Sequence, residues 1–182
     1  AFEKGYTPDT VLYDVTTNFD ARAGEDYTPK NYDGKEHGLV TIRKSLQGSL
    51  NIPAVKTLYL VGTKDTIDFA KRFGYTTLTG DYGLSLVLGG AEVNLLEHTN
   101  GYATLANNGT YHQPVSILKV TSNAGEVLYE WEENEGTEAI APEVAATTAN
   151  VLSDDVARSW IFGANGNLTL PGRPVAAKTG TT

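Results

Sequence analysis

Two short patterns carry residue types that could do acyl-transfer chemistry: Ser49-Leu50-Asn51 in the first third of the chain, and Lys178-Thr179-Gly180 near its end. Lys-Thr-Gly on a strand can form one wall of a serine acyl-transfer site, and such a site also needs a nucleophilic serine close to a lysine. Each pattern alone has an ordinary explanation. Ser49 and Asn51 are good helix-capping residues, and Lys178 could be a solvated strand lysine beside a turn glycine. A nucleophile of the Ser-x-x-Lys type is not evident: only Ser116 is followed three positions on by a lysine, Lys119. That pair lies in "VSILKV", a strand pattern, where positions i and i+3 face opposite sides; the chemistry needs both groups on one face at a helix start.

The elements that must position these residues can be read from periodicity and caps. "TVLYDV" (10–15) is a short strand candidate, and residues 17–34, rich in Asp, Asn, Gly and Tyr, form a long irregular connection. "LVTIRKSLQGS" is expected to be helical, with Leu39, Ile42 and Leu46 on one face. A break at Ser49-Leu50-Asn51 precedes "PAVKTLYLVG", where Pro53 suits the first turn of a new helix. "TKDTIDFAKRFG" is expected to be a helix capped by Thr63 and stopped by Gly74. A glycine-punctuated loop over 80–90 leads to a helix from Asn94 to Ala106. "VSILKVTS" and "VLYEWE" flank Asn123-Ala124-Gly125, a hairpin signal. A helix is expected over 142–157, and "RPVAAKTGTT" is the last expected strand. Helices in the middle with strands at the margins make the fold class α+β rather than alternating βαβ.

Composition narrows the function classes. The chain has 182 residues, enough for one good core, with 40% hydrophobic and 20% charged residues. A net charge of −8 argues against a nucleic-acid surface. Much of the excess lies in "EVLYEWEENEGTE" (126–138), expected to be a solvated hairpin edge and loop. The absence of cysteine excludes disulfides and thiol catalysis, and His37, His98 and His112 lie too far apart in sequence to suggest a metal site, so no metal or cofactor is expected. No apolar run approaches the ~20 residues that span a bilayer. Ala1 is not a natural start, and "AFEKG" resembles the last turn of a helix stopped by Gly5; the chain is expected to be an excerpt, cut at both ends.

Together and in this order, the two patterns match two of the three elements of the serine acyl-enzyme family that includes penicillin-binding proteins and class A β-lactamases. The resemblance becomes specific in longer stretches. "PKNYDGKEHGLVTIRKSLQGSLNIPAVK" resembles the region around the second motif of bifunctional class A penicillin-binding proteins. "LSLVLGGAEVNLLEHTNGYATLANNGTYHQPVSILKV" resembles their downstream signature, and "KTGTT" their third motif. The resemblance implies the penicillin-binding protein/serine β-lactamase-like fold, with residues 1–182 as a partial transpeptidase domain: a mainly helical subdomain plus part of an antiparallel sheet.

It also implies roles. Ser49 would relay a proton between the nucleophile's lysine and the leaving amine, and Asn51 would hydrogen-bond the donor peptide's backbone and help orient that lysine. Lys178 would meet the terminal D-alanine carboxylate or that of a β-lactam, with the hydroxyls of Thr179 and Thr181 beside it. Gly180 would let the substrate lie against the strand, and the N–H of Thr181 would be one donor of the oxyanion hole. The nucleophilic serine would lie shortly upstream of Ala1. The parent protein would cross-link peptidoglycan stem peptides on the extracytoplasmic face of the bacterial cytoplasmic membrane, anchored by an upstream segment, and would be a β-lactam target. An alternative is a β-lactam- or muropeptide-sensing domain of the same fold; a β-lactamase is disfavoured by the long connection before Ser49 and by the lack of a deacylating glutamate motif. The terminal strand, with neighbours missing, would pair with another chain through residues 174–182.

Overall fold

A strand pair and two helices carry Ser49. The computed structural model describes residues 1–20, 26–164 and 166–180. Strand β1 (Val11–Asp14) pairs antiparallel with β4 (Gly38–Thr41), in the register Leu12↔Val40 and Asp14↔Gly38. The period-2 alternation is clean: Leu12 and Asp14 are buried, whereas Val11 and Tyr13 face solvent. Between them, β2 (Phe19–Asp20) and β3 (Asp26–Tyr27) form a second short ribbon.

Helix α1 (Ile42–Gln47) starts later than the sequence pattern suggests. Residues 38–41 are extended because they have a strand partner in β1, and Thr41, in an extended conformation, caps the helix by accepting from Lys44 N at 3.1 Å. Leu39 therefore belongs to the strand and is 74% exposed, while Ile42 is buried. Gly48 ends α1, and a Cβ there would lie 2.9 Å from the Trp160 ring. Helix α2 (Asn51–Val61) then buries Ile52, Val55 and Leu58, one face at three-residue spacing.

Gly62, at φ +94°, joins α2 directly to α3 (Thr63–Arg72). Its N–H closes α2 on the Leu58 carbonyl, and its own carbonyl accepts from Thr66 N to open α3. One residue serves both helices, so Gly62 and not Thr63 is the cap position. A 3₁₀ turn (Leu84–Leu88) interrupts the glycine-rich loop. Helix α4 (Leu95–Ala106) is capped by Asn94, whose side chain accepts from Leu96 N at 2.9 Å.

β5 (Thr110–Tyr111) pairs with β8 (Thr137–Glu138), and between them the exposed hairpin of β6 (Lys119–Thr121) and β7 (Val127–Glu130) turns through Gly125. A buried cluster of Phe73, Ala139, Ile140 and Ala145, flanked by Phe69, Leu105 and Tyr111, fastens α3, α4 and β5 to α5 (Pro142–Leu152). The helix expected over 142–157 is two helices. Asp154 starts α6 (Asp155–Phe162) by accepting from Ala157 N at 2.8 Å, which ends the first helix at Leu152. Both pack on α1.

The described residues thus hold six α-helices and four two-stranded antiparallel ribbons, an α+β arrangement. Residues 174–180 lie in no strand, contrary to the expectation for "RPVAAKTGTT". A strand needs a partner ladder, and among the described residues this stretch has none. No helix among them is long and apolar enough to cross a membrane.

Candidate active site

Ser49 and Lys178, 129 positions apart, meet: Lys178 Nζ donates to Ser49 Oγ at 2.7 Å. The ammonium also donates to the Thr179 carbonyl at 2.9 Å and to Thr179 Oγ1 at 3.3 Å. Among the described residues these acceptors are all neutral oxygens. The lysine is partly buried, and burial holds its pKa below the ordinary lysine value. A partly desolvated ammonium that meets only neutral oxygens among the described residues is a strong attractor for an anion.

Ser49 sits where local geometry is costly. Its φ of +54° is left-handed, a region that disfavours side chains other than glycine's. Its N–H donates to Leu46 O at 3.2 Å, and Leu50 N donates to Ser45 O at 3.0 Å. The backbone reverses between α1 and α2 in this way, which presents the hydroxyl at the corner. Because a lysine hydrogen occupies a lone pair of Oγ, the hydroxyl hydrogen is free to point elsewhere, as a proton donor requires.

Asn51 is the first residue of α2, and its Nδ2 donates to the Lys30 carbonyl at 2.8 Å. It is thus joined to the 26–37 connection rather than directly to Lys178. Gly180 is exposed, and a Cβ built there would meet nothing within 4 Å, so another backbone could approach. Thr181 lies outside the described residues.

What brings the tail to the helices is a set of groups that sequence patterns did not single out. Ala177 N donates to the Leu152 carbonyl at 3.1 Å, at the end of α5. The same carbonyl accepts from Arg158 Nη2 at 2.7 Å, and Arg158 Nε donates to Gln47 Oε1 at 3.2 Å. Gln47 is two residues before Ser49, so Arg158 ties both sides of the site to one buried guanidinium. The only signal for it in the sequence is an arginine on the inward face of a helix. Among the described residues, no three His, Asp or Glu side chains gather closely enough to hold a metal ion.

The penicillin binding protein transpeptidase domain family matches residues 1–182, the whole chain. The chain belongs to that family. Penicillin-binding protein 2D of Bacillus subtilis (strain 168) is 35% identical over 192 residues, covering 100% of this chain and 27% of the relative. Penicillin-binding protein 1A of Aquifex aeolicus (strain VF5) is 38% identical over 165 residues, covering 90% of this chain and 22% of the relative. The solved PonA1 protein of Mycobacterium tuberculosis in complex with penicillin V superposes with a TM-score of 0.80 at 26% identity, covering 99% of this chain and 49% of that one. The chain therefore has a penicillin-binding protein transpeptidase fold, and it spans about a quarter of the length of the curated relatives it matches.

Proposed function

We propose that this chain supplies two walls of the acyl-transfer site of a peptidoglycan D,D-transpeptidase, with the serine nucleophile contributed from outside residues 1–182. The observation that carries this is the 2.7 Å hydrogen bond between Lys178 and Ser49. The parent reaction is attack of a serine on the carbonyl between two D-alanines, release of the terminal D-alanine, then aminolysis of the acyl-enzyme by the amine of a neighbouring stem peptide. Lys178 binds the terminal carboxylate, helped by the Thr179 hydroxyl and, by extension, that of Thr181. Ser49 passes a proton to the leaving amine, a form of catalysis worth about 10²–10⁴-fold. Asn51 hydrogen-bonds the peptide backbone, Gly180 lets it lie alongside, and the Thr181 N–H completes an oxyanion hole whose loss costs on the order of 10²–10³ in rate. β-Lactams carry the same carboxylate next to a reactive amide and are bound in the same way; the penicillin V complex of PonA1 supports this. The domain works on the extracytoplasmic face of the bacterial membrane, where its substrate is assembled.

Fluorescent penicillin tests the proposal directly. The 182-residue chain alone should form no covalent adduct, whereas the protein that also carries an upstream Ser-x-x-Lys should, at a rate lowered by Ser49→Ala and by Lys178→Ala. A stable adduct on the 182-residue chain would overturn the missing nucleophile; unchanged rates in both variants would overturn the roles of the two walls. Pairing of residues 174–182 between two copies is proposed from the strand pattern of "RPVAAKTGTT" alone; that residues 174–180 lie in no strand among the described residues counts against it. Sedimentation should show concentration-dependent dimers that Ala176→Pro weakens, and a monomer at every concentration would rule the pairing out.

A further inference from the structure

Helix α2 begins without a cap of its own. Its cap position is Leu50, whose side chain makes no capping hydrogen bond and has no atom that could. The orphan donors are satisfied from elsewhere: Asn31 Oδ1 accepts from Asn51 N at 2.9 Å and from Ile52 N at 3.2 Å. Asn31 is buried. Its Nδ2 donates to both carboxylate oxygens of Asp14, at 2.9 and 2.8 Å, and to the Lys35 carbonyl at 2.8 Å. The amide orientation is thereby fixed, because a flip would set NH₂ against two donors and oxygen against three acceptors.

Asp14 is fully buried, which no carboxylate tolerates without partners. Besides Asn31 it takes the His37 N–H at 3.0 Å, and its Oδ2 lies 2.6 Å from His37 Nδ1. His37 Nε2 in turn lies 3.1 Å from Asp33 Oδ2. A charged acceptor at one end of the Asn31 amide polarises it and strengthens the oxygen at the other end as an acceptor. The grip is reciprocal, since Asn51 Nδ2 donates back to Lys30 O, next to Asn31.

We propose that Asn31, braced by Asp14, is the positioning residue that holds the Ser49-Leu50-Asn51 corner in its productive shape. Asn31 touches no reacting atom. It acts through the first two amides of α2, immediately after the left-handed residue that carries the hydroxyl. The inference rests on the acyl-transfer function proposed above for this corner.

The test uses the intact protein that carries this chain together with its nucleophile. Asn31→Ala should lower the second-order rate of acylation by fluorescent penicillin by about 10²-fold, the scale of a misplacement near 1 Å. Hydrogen exchange in peptides covering residues 50–55 should accelerate, with α3 and α4 unchanged. Asn31→Asp sets two carboxylates against each other and should be at least as damaging. The double exchange, Asp14→Asn with Asn31→Asp, restores a donor facing an acceptor across the 14–31 pair but leaves the Lys35 carbonyl against a carboxylate oxygen, so it should recover part of the rate, a rescue that mere loss of packing would not show. A double exchange no better than either single change overturns the proposal, as does an Asn31→Ala protein that acylates and exchanges like the parent. If the parent itself is not acylated while the exchange pattern holds, the acyl-transfer function fails and the capping role stands.

Discussion

Replacing Arg158 by methionine should separate the two halves of the site energetically. Arg158 is only 6% exposed, and its guanidinium donates to Gln47 Oε1, to Leu152 O and to Asp155 Oδ1. Methionine keeps most of the packing of the arginine stem but none of the donors. Two of the lost bonds are buried and charge-assisted, each worth about 1.5–3 kcal/mol, and Gln47 Oε1 is left without the arginine as donor. The pair with Asp155, which is half exposed, adds less than about 1 kcal/mol. Release of the arginine's own burial cost offsets part of the sum, so a net loss near 3 kcal/mol is expected. For a domain of this size that lowers Tm by about 6–12 °C. Urea unfolding should show the midpoint falling with the slope unchanged. Arg158→Lys should recover little, because a point charge cannot reproduce the fork. A loss below about 1 kcal/mol in the methionine variant would refute the idea that this guanidinium joins α1, α5 and the tail.

Further outcomes are expected. Ser49→Gly should leave stability unchanged or raise it by up to about 1 kcal/mol, because glycine tolerates the left-handed conformation, while acylation of the intact protein by penicillin collapses; denaturant curves beside adduct formation check both. Gly109→Ala should cost about 2–4 kcal/mol by urea unfolding, since φ is +88° and the new Cβ would fall 2.3 Å from the Ile140 carbonyl oxygen. Lys178 titrates below its ordinary 10.5 because of burial, so at neutral pH its full desolvation cost is present in the fold. Between the folded and unfolded pKa values the unfolded chain binds more protons, so stability rises with pH. The stability advantage of Lys178→Met over the parent should therefore shrink as pH climbs from 7 towards 10.5, measured as a difference in unfolding free energy; an advantage that stays flat or grows refutes the burial argument.

What the sequence made legible was local. Asn94 and Pro142 announced helix starts and Gly125 a hairpin, because a cap or a positive φ is decided by the residue itself. Ser49 and Lys178 stood out by type and were found in contact. The misjudged segments depend on distant partners. Residues 38–41 look helical until β1 pairs with them, and residues 174–180 look like a strand but have no ladder among the described residues. The helix expected over 142–157 breaks because Asp154 accepts from Ala157 N and starts a second helix, an interruption the inward-facing apolar positions of the first helix do not signal. Asn31, Asp14 and Arg158 were invisible as a support for the site, since an amide, a carboxylate and a guanidinium in a sequence do not say whether they end up buried.

Lys178 has three hydrogens, and each already has an acceptor in Ser49 Oγ, Thr179 O and Thr179 Oγ1. An incoming group must trade places with one of them. Swapping one neutral oxygen for another gains nothing, whereas a carboxylate substitutes full charge for a dipole in a partly dehydrated spot. On the carboxylate-binding role proposed for Lys178, discrimination between a free acid and its amide or ester follows from these three contacts. The longest of the three contacts, to Thr179 Oγ1, is the easiest to surrender, so an anion can be admitted while the lysine keeps hold of the serine.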